Sequence, residues 1–296
     1  MEFLSYTLQQ LLNGLQLGSV YALIALGYTM VYGVLRLINF AHGDIFMFGS
    51  FMAYFCMARW HLPIYLVFAV TIASSALLGF SVEKVAYKPM RGAPRISLLI
   101  TAVGVSLFLE YFLSLKGLFS PDYLAFPRPF EVKGWDLSII TITNVQVIIF
   151  GVTAASLFLL YLLVYRSKQG RAMRALSHDQ ETASLMGINV DATISFTFII
   201  GTALAGIGGI LYGFAYPQIN VFMGIMPGIK SFIAAVLGGI GLVHGAVLGG
   251  LLIGISEVFV SAYVSSTFRD GFIFVILLLI LLFRPNGIFG KRSDKV

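Results

Sequence analysis

ATISFTFIIGTALAGIGGILYGFAY, Ala192–Tyr216, runs its whole length without a charged residue. About 20 apolar residues in a helix suffice to cross the hydrocarbon core of a bilayer, so this stretch is long enough to span one. Its apolar residues follow one another continuously instead of alternating with period two, which indicates a helix and not a barrel strand. Gly201, Ala205, Gly209 and Gly213 recur every four residues along it and form a smooth strip on one face. Small residues at that spacing let a second backbone approach closely, which matters in lipid because hydrophobic burial no longer drives helices together.

The same texture extends in both directions. Further spans are expected at Leu8–Leu35, Phe40–Ala58, Pro63–Val82, Ser97–Leu115 and Ile142–Tyr165, then at Gly245–Val264 and Gly271–Phe283. Gly228–Ile240 is short for a crossing and fits a re-entrant or broken helix as well as a span. All nine prolines fall at predicted span ends or in loops. Across the 296 residues, 58% are hydrophobic and 11% charged, too few charges to cover a water-soluble surface. Mean hydropathy is +0.92. The expected fold is all-α: a polytopic transmembrane bundle of about eight or nine spans, with residues 1–296 forming one domain and no room for a large extramembrane one.

The net charge of +6 is an excess of Lys and Arg of the kind that orients membrane proteins, and a nucleic-acid partner is not indicated. Lys84, Lys88, Arg91 and Arg95 share one loop; Arg166, Lys168, Arg171 and Arg174 share another; Arg284, Lys291, Arg292 and Lys295 crowd the C-terminus. All three groups fall on one side of the span map, which is therefore expected to be cytoplasmic. The loop Lys116–Thr141 balances Lys116, Arg128 and Lys133 against Asp122, Glu131 and Asp136 and belongs outside. The N-terminus is then periplasmic and the C-terminus cytoplasmic. The opening MEFLSYTLQQLLNG lacks a basic signal-peptide region and is expected to start the first span. Cys56 is the single cysteine and stands in an apolar run, where it acts as a small hydrophobe. Two further small-residue strips follow the spacing seen first: Gly241, Gly245 and Gly249, with Gly250 and Gly254 beside them, and Gly14, Gly18 and Ala22. They serve tight packing or, alternatively, sliding during a transport cycle.

Polar residues within apolar segments mark candidate functional positions. Arg36, Asn39, His42 and Asp44 are the densest group. The span map puts them near the cytoplasmic face, where interfacial water accounts for them; a gate or an intersubunit polar network is the other account. His42 and Asp44 lie two apart and do not share a helix face, and no metal site is expected. Glu110 and Glu257 each interrupt a span, either as hydrogen-bonded structural carboxylates or as a proton relay. GRAMRALSHDQETASLMGINVD, Gly170–Asp191, is polar yet patterned as a helix. Met173, Leu176, Ala183, Leu185 and Met186 are interspersed with charge, Asp179 opens a second turn and Gly187 supplies a C-cap. Such a segment rests on anionic lipid or docks in the groove of a soluble partner; its mixed charge favours the partner. No phosphate-binding loop exists, since GIKS at Gly228–Ser231 lacks the glycine before its lysine, and LGGIGLVHG has the wrong spacing for a dinucleotide. The chain is expected to be no enzyme and to need no cofactor, so any ATP-driven work comes from another subunit.

Four stretches carry a family resemblance: GYTMVYGVLRLINFAHGD (Gly27–Asp44), Gly170–Asp191, GIKSFIAAVLGGIGLVHGAVLGGLLIGISE (Gly228–Glu257) and FRPNGIFG (Phe283–Gly290). In this order they resemble the branched-chain amino-acid permeases of bacterial ABC importers, the shorter of the two permease types. His244 and His178 depart from the family's usual Pro and Gln. The resemblance implies an inner-membrane subunit that works with a homologous second permease, two cytoplasmic ATP-binding subunits and a periplasmic substrate-binding protein. It implies that residues 166–191 couple to the ATPases, with Arg171, Arg174, Asp179, Leu185 and Gly187 at the contact. Arg36, Asn39, His42 and Asp44 would order the cytoplasmic end of the pathway, and PQINVFMGIMPG (Pro217–Gly228) would lie near the binding protein. The competing expectation is an ion-driven secondary transporter or channel for a small polar solute such as urea or an amide, using Glu110 or Glu257. An intramembrane enzyme lacks any catalytic constellation.

Overall fold

Nine apolar helices run along the bundle of the computed structural model, which describes residues 2–37, 39–116, 118–119 and 122–290. They are α1 (Glu2–Leu35), α2 (His42–Ala58), α3 (Ile64–Val82), α4 (Arg95–Leu113), α5 (Asn144–Arg166), α8 (Val190–Ala215), α9 (Ile225–Gly238), α10 (Val243–Tyr263) and α11 (Arg269–Phe283). Two short polar helices, α6 (Lys168–His178) and α7 (Gln180–Leu185), stand between α5 and α8. Each predicted span has its helix within a few residues. Six of the helical stretches are long and apolar enough to cross a membrane. At 17, 14 and 15 residues, α2, α9 and α11 are shorter. The basic residues Lys291, Arg292 and Lys295 lie outside the described residues.

α1 and α8 are buried along most of their length, with α2, α9 and α10 packed round them. α3, α4, α5 and α11 are covered on one face only and present large apolar side chains such as Leu77, Phe108, Phe158 and Leu282 outward, as lipid requires. The most extensive seam joins α1 to α10, where two predicted small-residue strips face each other. A Cβ at Gly18 would stand 2.7 Å from the Leu251 Cα, and one at Gly250 would stand 2.5 Å from the Ala22 nitrogen. On α8, Gly201 lies against Gly27 of α1, Ala205 is wholly buried, Gly209 lies against Phe46 and Ser50 of α2, and Gly213 lies under the Phe126 ring. Gly245 and Gly249 pack on α9, at Gly238 and Ala234. Gly241 departs from the strip predicted for it with Gly245 and Gly249. It lies in the turn ahead of α10, at φ +94°, so it is chosen for backbone conformation and not for a helix face.

Two antiparallel ribbons close one end of the bundle: β1 (Leu124–Ala125) with β4 (Gln218–Ile219), and β2 (Gly134–Asp136) with β3 (Thr141–Thr143). Gln9 of α1 exchanges two hydrogen bonds with the backbone of Thr141, at 3.1 and 2.9 Å, and ties the start of α1 to this end. The opposite, basic end holds α6, α7 and the connection from α3 to α4, where α3 tightens into a π turn, Glu83–Tyr87, followed by a 3-10 turn, Lys88–Met90. Phe283–Gly290 folds back there: the Ile288 amide donates to the Leu237 carbonyl at 2.8 Å.

α2 and α9 do not start at either end. The first turn of α2 touches the start of α9 inside the bundle, where a Cβ at Gly43 would meet the Gly224 oxygen at 2.5 Å and the Gly228 Cα at 3.1 Å. The predicted Gly228–Ile240 segment is therefore a half-length helix. Pro227 sits in its first turn, where a missing N–H costs nothing.

Candidate functional site

Where α1 gives way to α2, polar residues are buried and not bathed by interfacial water, which corrects the solvation account of this group. Asn39, His42 and Asp44 are all at most 2% exposed. His42 packs on Gly27, with its ring 4.7 Å from that of Tyr28. The Tyr87 hydroxyl, delivered by the π turn, donates to Asn39 Oδ1 at 2.7 Å. Asp44 accepts from the Ser106 hydroxyl of α4 at 2.5 Å, and Glu110, one turn further along α4, acts on it electrostatically. Glu110 is thus half of a carboxyl pair. Its partner comes from another helix, a proximity that only the bundle creates. Arg36 separates from the other three. It is exposed, ends α1 in the left-handed region at φ +52°, and acts electrostatically on Asp179.

At the basic end, the polar segment breaks into two helices at Asp179, because the Asp179 carboxylate caps α7. It accepts from the Glu181 amide at 3.0 Å and from the Thr182 hydroxyl. Those two donors hold the Asp179 carboxyl below the usual carboxylate range. Ser167 caps α6 by accepting from the Gly170 amide at 2.8 Å, and Gly187 follows α7 at φ +80°, the left-handed residue expected there. Gly170, Met173, Leu176 and Ala183 are buried toward the bundle. Arg174 also turns inward, donating to the Val164 carbonyl and lying over the Tyr165 ring, so it anchors α6 to α5 and does not point outward. Gln180 donates to the Val34 carbonyl at 2.8 Å and fastens α7 to the end of α1. Arg171 faces outward, and Leu185 and Met186 are 83% and 79% exposed.

Beside α7 lies an ion cluster that sequence reading did not assemble. Glu83 of the π turn is wholly buried and accepts from Arg91 and from the Ser195 hydroxyl at 2.8 Å. Asp191, in the first turn of α8, bridges Arg91 and Lys88, the latter at 2.6 Å. Lys88 and Arg91 were legible as orienting charges; that they clamp α8 to the α3–α4 connection was not.

At the ribbon end, Glu257 of α10 is nearly buried and accepts from the Tyr21 hydroxyl at 2.8 Å and from Lys230 Nζ at 2.6 Å. Lys230 is itself buried, and it also bridges Asp270 of α11 at 2.7 Å. In the sequence Lys230 stands within GIKS, which is no phosphate loop. The missed signal was a lone cation in an apolar helix, which demands a partner. Glu257 and Arg269 line a cavity of about 250 Å³ between α1, α8, α10 and α11. A second cavity, about 520 Å³, opens at the basic end between Tyr32, His244 and the Pro285–Gly290 turn. The described residues hold no group of three His, Cys, Asp or Glu placed to bind a metal.

The chain matches the family described as branched-chain amino acid transport system / permease component over residues 10–281. It is 44% identical over 301 aligned residues to the high-affinity branched-chain amino acid transport system permease protein LivH of Escherichia coli K12, covering 97% of this chain and 96% of that one. It is 43% identical to the corresponding permease protein BraD of Pseudomonas aeruginosa, covering 96% of each. In three dimensions it resembles PsaBC from Streptococcus pneumoniae, solved with a Fab, with a TM-score of 0.51 over 94% of this chain and 92% of that one. At 12% identity that likeness concerns the fold alone. With the family matched across nearly all of its helices, this multi-pass membrane protein belongs to the permease components of branched-chain amino acid ABC transport systems.

Proposed function

We propose that the chain is the translocating subunit of a bacterial inner-membrane ABC importer for branched-chain or other neutral amino acids, driven by ATP hydrolysis in partner subunits. Its partners are a homologous second permease, two cytoplasmic ATP-binding subunits and a periplasmic substrate-binding protein. All of residues 1–296 serve as one permease domain, with the basic end cytoplasmic and the ribbon end, near Pro217–Gly228, facing the binding protein. The concentration of Lys88, Arg91, Arg166, Lys168, Arg171 and Arg284 at one end supports that orientation.

The observation that carries this reading is the surface of α6 and α7. Their inner face is anchored by buried Met173, Leu176 and Ala183, and by bonds from Arg174 and Gln180, while Leu185 and Met186 stand bare among polar residues. Exposed apolar residues on a rigid, anchored element suit a protein groove. Force applied there passes through Gln180 to α1, and through the Asp191 clamp to α8 and the π turn. From the π turn it reaches Tyr87 and the buried Asn39–His42–Asp44 crossover. Within this scheme Arg171, Leu185 and Met186 make the contact, while Arg174, Asp179 and Gly187 shape it.

The test is uptake of L-leucine by the whole complex in proteoliposomes, with ATP inside or withheld. Leu185→Asp together with Met186→Asp should abolish ATP-dependent uptake while the permease still assembles in the membrane. Undiminished uptake would overturn coupling through this surface. The electrostatic pairing of Asp44 with Glu110 favours one competing reading, a proton-driven transporter, because carboxyl groups within a membrane span are typical members of proton relays. Uptake by the chain alone that collapses with a protonophore would establish that reading, and Glu110→Gln should then stop it.

A further inference from the structure

The cavity at the ribbon end combines two opposite charges with a wall of mixed character, in which Gln10 and Ser261 stand beside aliphatic residues, and it lies where solute would enter if the importer reading is right. Leu17, Val258 and Ala262 supply aliphatic surface and Tyr216 an aromatic wall, with Glu257 and Arg269 on the lining. At about 250 Å³ it is smaller than the roughly 300–1,000 Å³ of sites for drug-sized ligands and fits a single small molecule.

The two charges are not used up by each other. Arg269 Nε stands 3.9 Å from Glu257 Oε1 and 3.6 Å from Asp270 Oδ1, both beyond hydrogen-bond reach. Half of the Arg269 side chain is exposed, and among the described residues its guanidinium donates no hydrogen bond. A structural Arg–carboxylate bridge would close to a bidentate pair; Arg269 forms none, and it lines the cavity. Glu257 has given one acceptor position to Tyr21 and one to Lys230, out of about four on a carboxylate. Lys230 and Arg269 balance Glu257 and Asp270, so the cluster is neutral and a ligand of net charge zero enters without unbalancing it.

We propose that this cavity is a binding site within the permease for a zwitterionic aliphatic α-amino acid. Arg269 takes the carboxylate, Glu257 takes the ammonium, and the hydrocarbon tail lies along Leu17 and Val258. The inference deepens the importer reading and rests on it for the direction of traffic. Lys230 and Tyr21 are positioning residues here: they hold the Glu257 carboxylate in place from behind.

The experiment is equilibrium binding of radiolabelled L-leucine to the detergent-purified permease complex in the absence of the binding protein. Two competitors each remove one charge: leucinamide, which lacks the carboxylate, and 4-methylpentanoate, which lacks the ammonium. Leucine should bind saturably, with both competitors at least tenfold weaker. Arg269→Gln, at a half-exposed position, should weaken leucine by tenfold or more and erase the preference over leucinamide while keeping that over 4-methylpentanoate. Equal binding by Arg269→Gln, competitors as good as leucine, or no saturable binding by the unmodified complex would each overturn the site. ATP-driven uptake measured in parallel separates the two readings. Uptake without cavity binding removes the site alone; cavity binding without ATP-dependent uptake removes the importer reading.

Discussion

Replacing Lys230 by Met removes the only described cation within hydrogen-bond reach of the buried Glu257 carboxylate. At their separation of 2.6 Å the two charges attract by about 6 kcal/mol with an effective dielectric of 20, and the cost of taking both out of water offsets much of it. The loss on mutation is larger than that net worth, because Glu257, 6% exposed at its side chain, keeps only the Tyr21 hydroxyl within hydrogen-bond reach, with Arg269 standing off at 3.9 Å. Breaking one partner of a buried pair costs about 3–5 kcal/mol. At roughly 2–4 °C per kcal/mol, that lowers the unfolding midpoint by on the order of 10 °C. Thermal unfolding of the purified protein in detergent, followed by loss of the monodisperse chromatographic peak, measures it. The decisive variant is the double change Lys230→Met with Glu257→Gln, which removes the stranded charge and keeps an acceptor for Tyr21. It should recover most of the loss, to within about 1–2 kcal/mol of the unmodified protein, the size of an ordinary hydrogen-bond change. If Lys230→Met unfolds at the unmodified temperature, or the double variant is no better than the single one, the four-charge cluster is not what fastens α9 to α10 and α11.

Gly18→Leu drives a side chain into the Leu251 backbone and should weaken the α1–α10 seam by more than the roughly 1–3 kcal/mol of ordinary overpacking, seen as lower yield and a lower midpoint; normal stability would mean that the seam opens easily. Arg91→Ala strands the buried Glu83, so it should destabilise by about 3–5 kcal/mol, and Glu83→Gln combined with it should restore part of that in the same melting assay. Asp179→Ala should fray α7, raising amide hydrogen exchange at residues 180–185, whereas Asp179→Asn keeps an acceptor and protection near normal. The Asp179 cap also sets a pH dependence. Its carboxyl is held below the usual range in the folded protein, so the cap's contribution is complete above the unfolded carboxylate range and fades as pH falls through the lowered folded value. Protection at residues 181–182, corrected for the intrinsic pH dependence of exchange, should fall only in acid, and Asp179→Asn should abolish that fall; protection that is flat with pH in the unmodified protein would refute the cap.

The division between sequence and structure runs along interaction range. Helix number and helix ends were legible because they depend on neighbours within one or two turns. Ala192–Tyr216 is uncharged throughout, prolines mark ends, and Asp179 and Gly187 carry cap chemistry in their own side chain and backbone. The paired strips Gly14–Gly18 and Gly250–Gly254 were legible as smooth faces, though not as partners. What faces what depends on contacts hundreds of residues apart, as with Tyr21 and Glu257, which no periodicity encodes. Only the assembled bundle sank the start of α2 beside Gly27 and Gly228, turning a segment that looked wet into a buried crossover. It alone brought Arg36 within electrostatic reach of Asp179, turned Arg174 inward, and set Lys230 between Glu257 and Asp270. In an apolar interior a charge must find its counter-charge wherever the packing of helices leaves one, so the partner is a property of the tertiary arrangement even when the need for a partner is written in the chain.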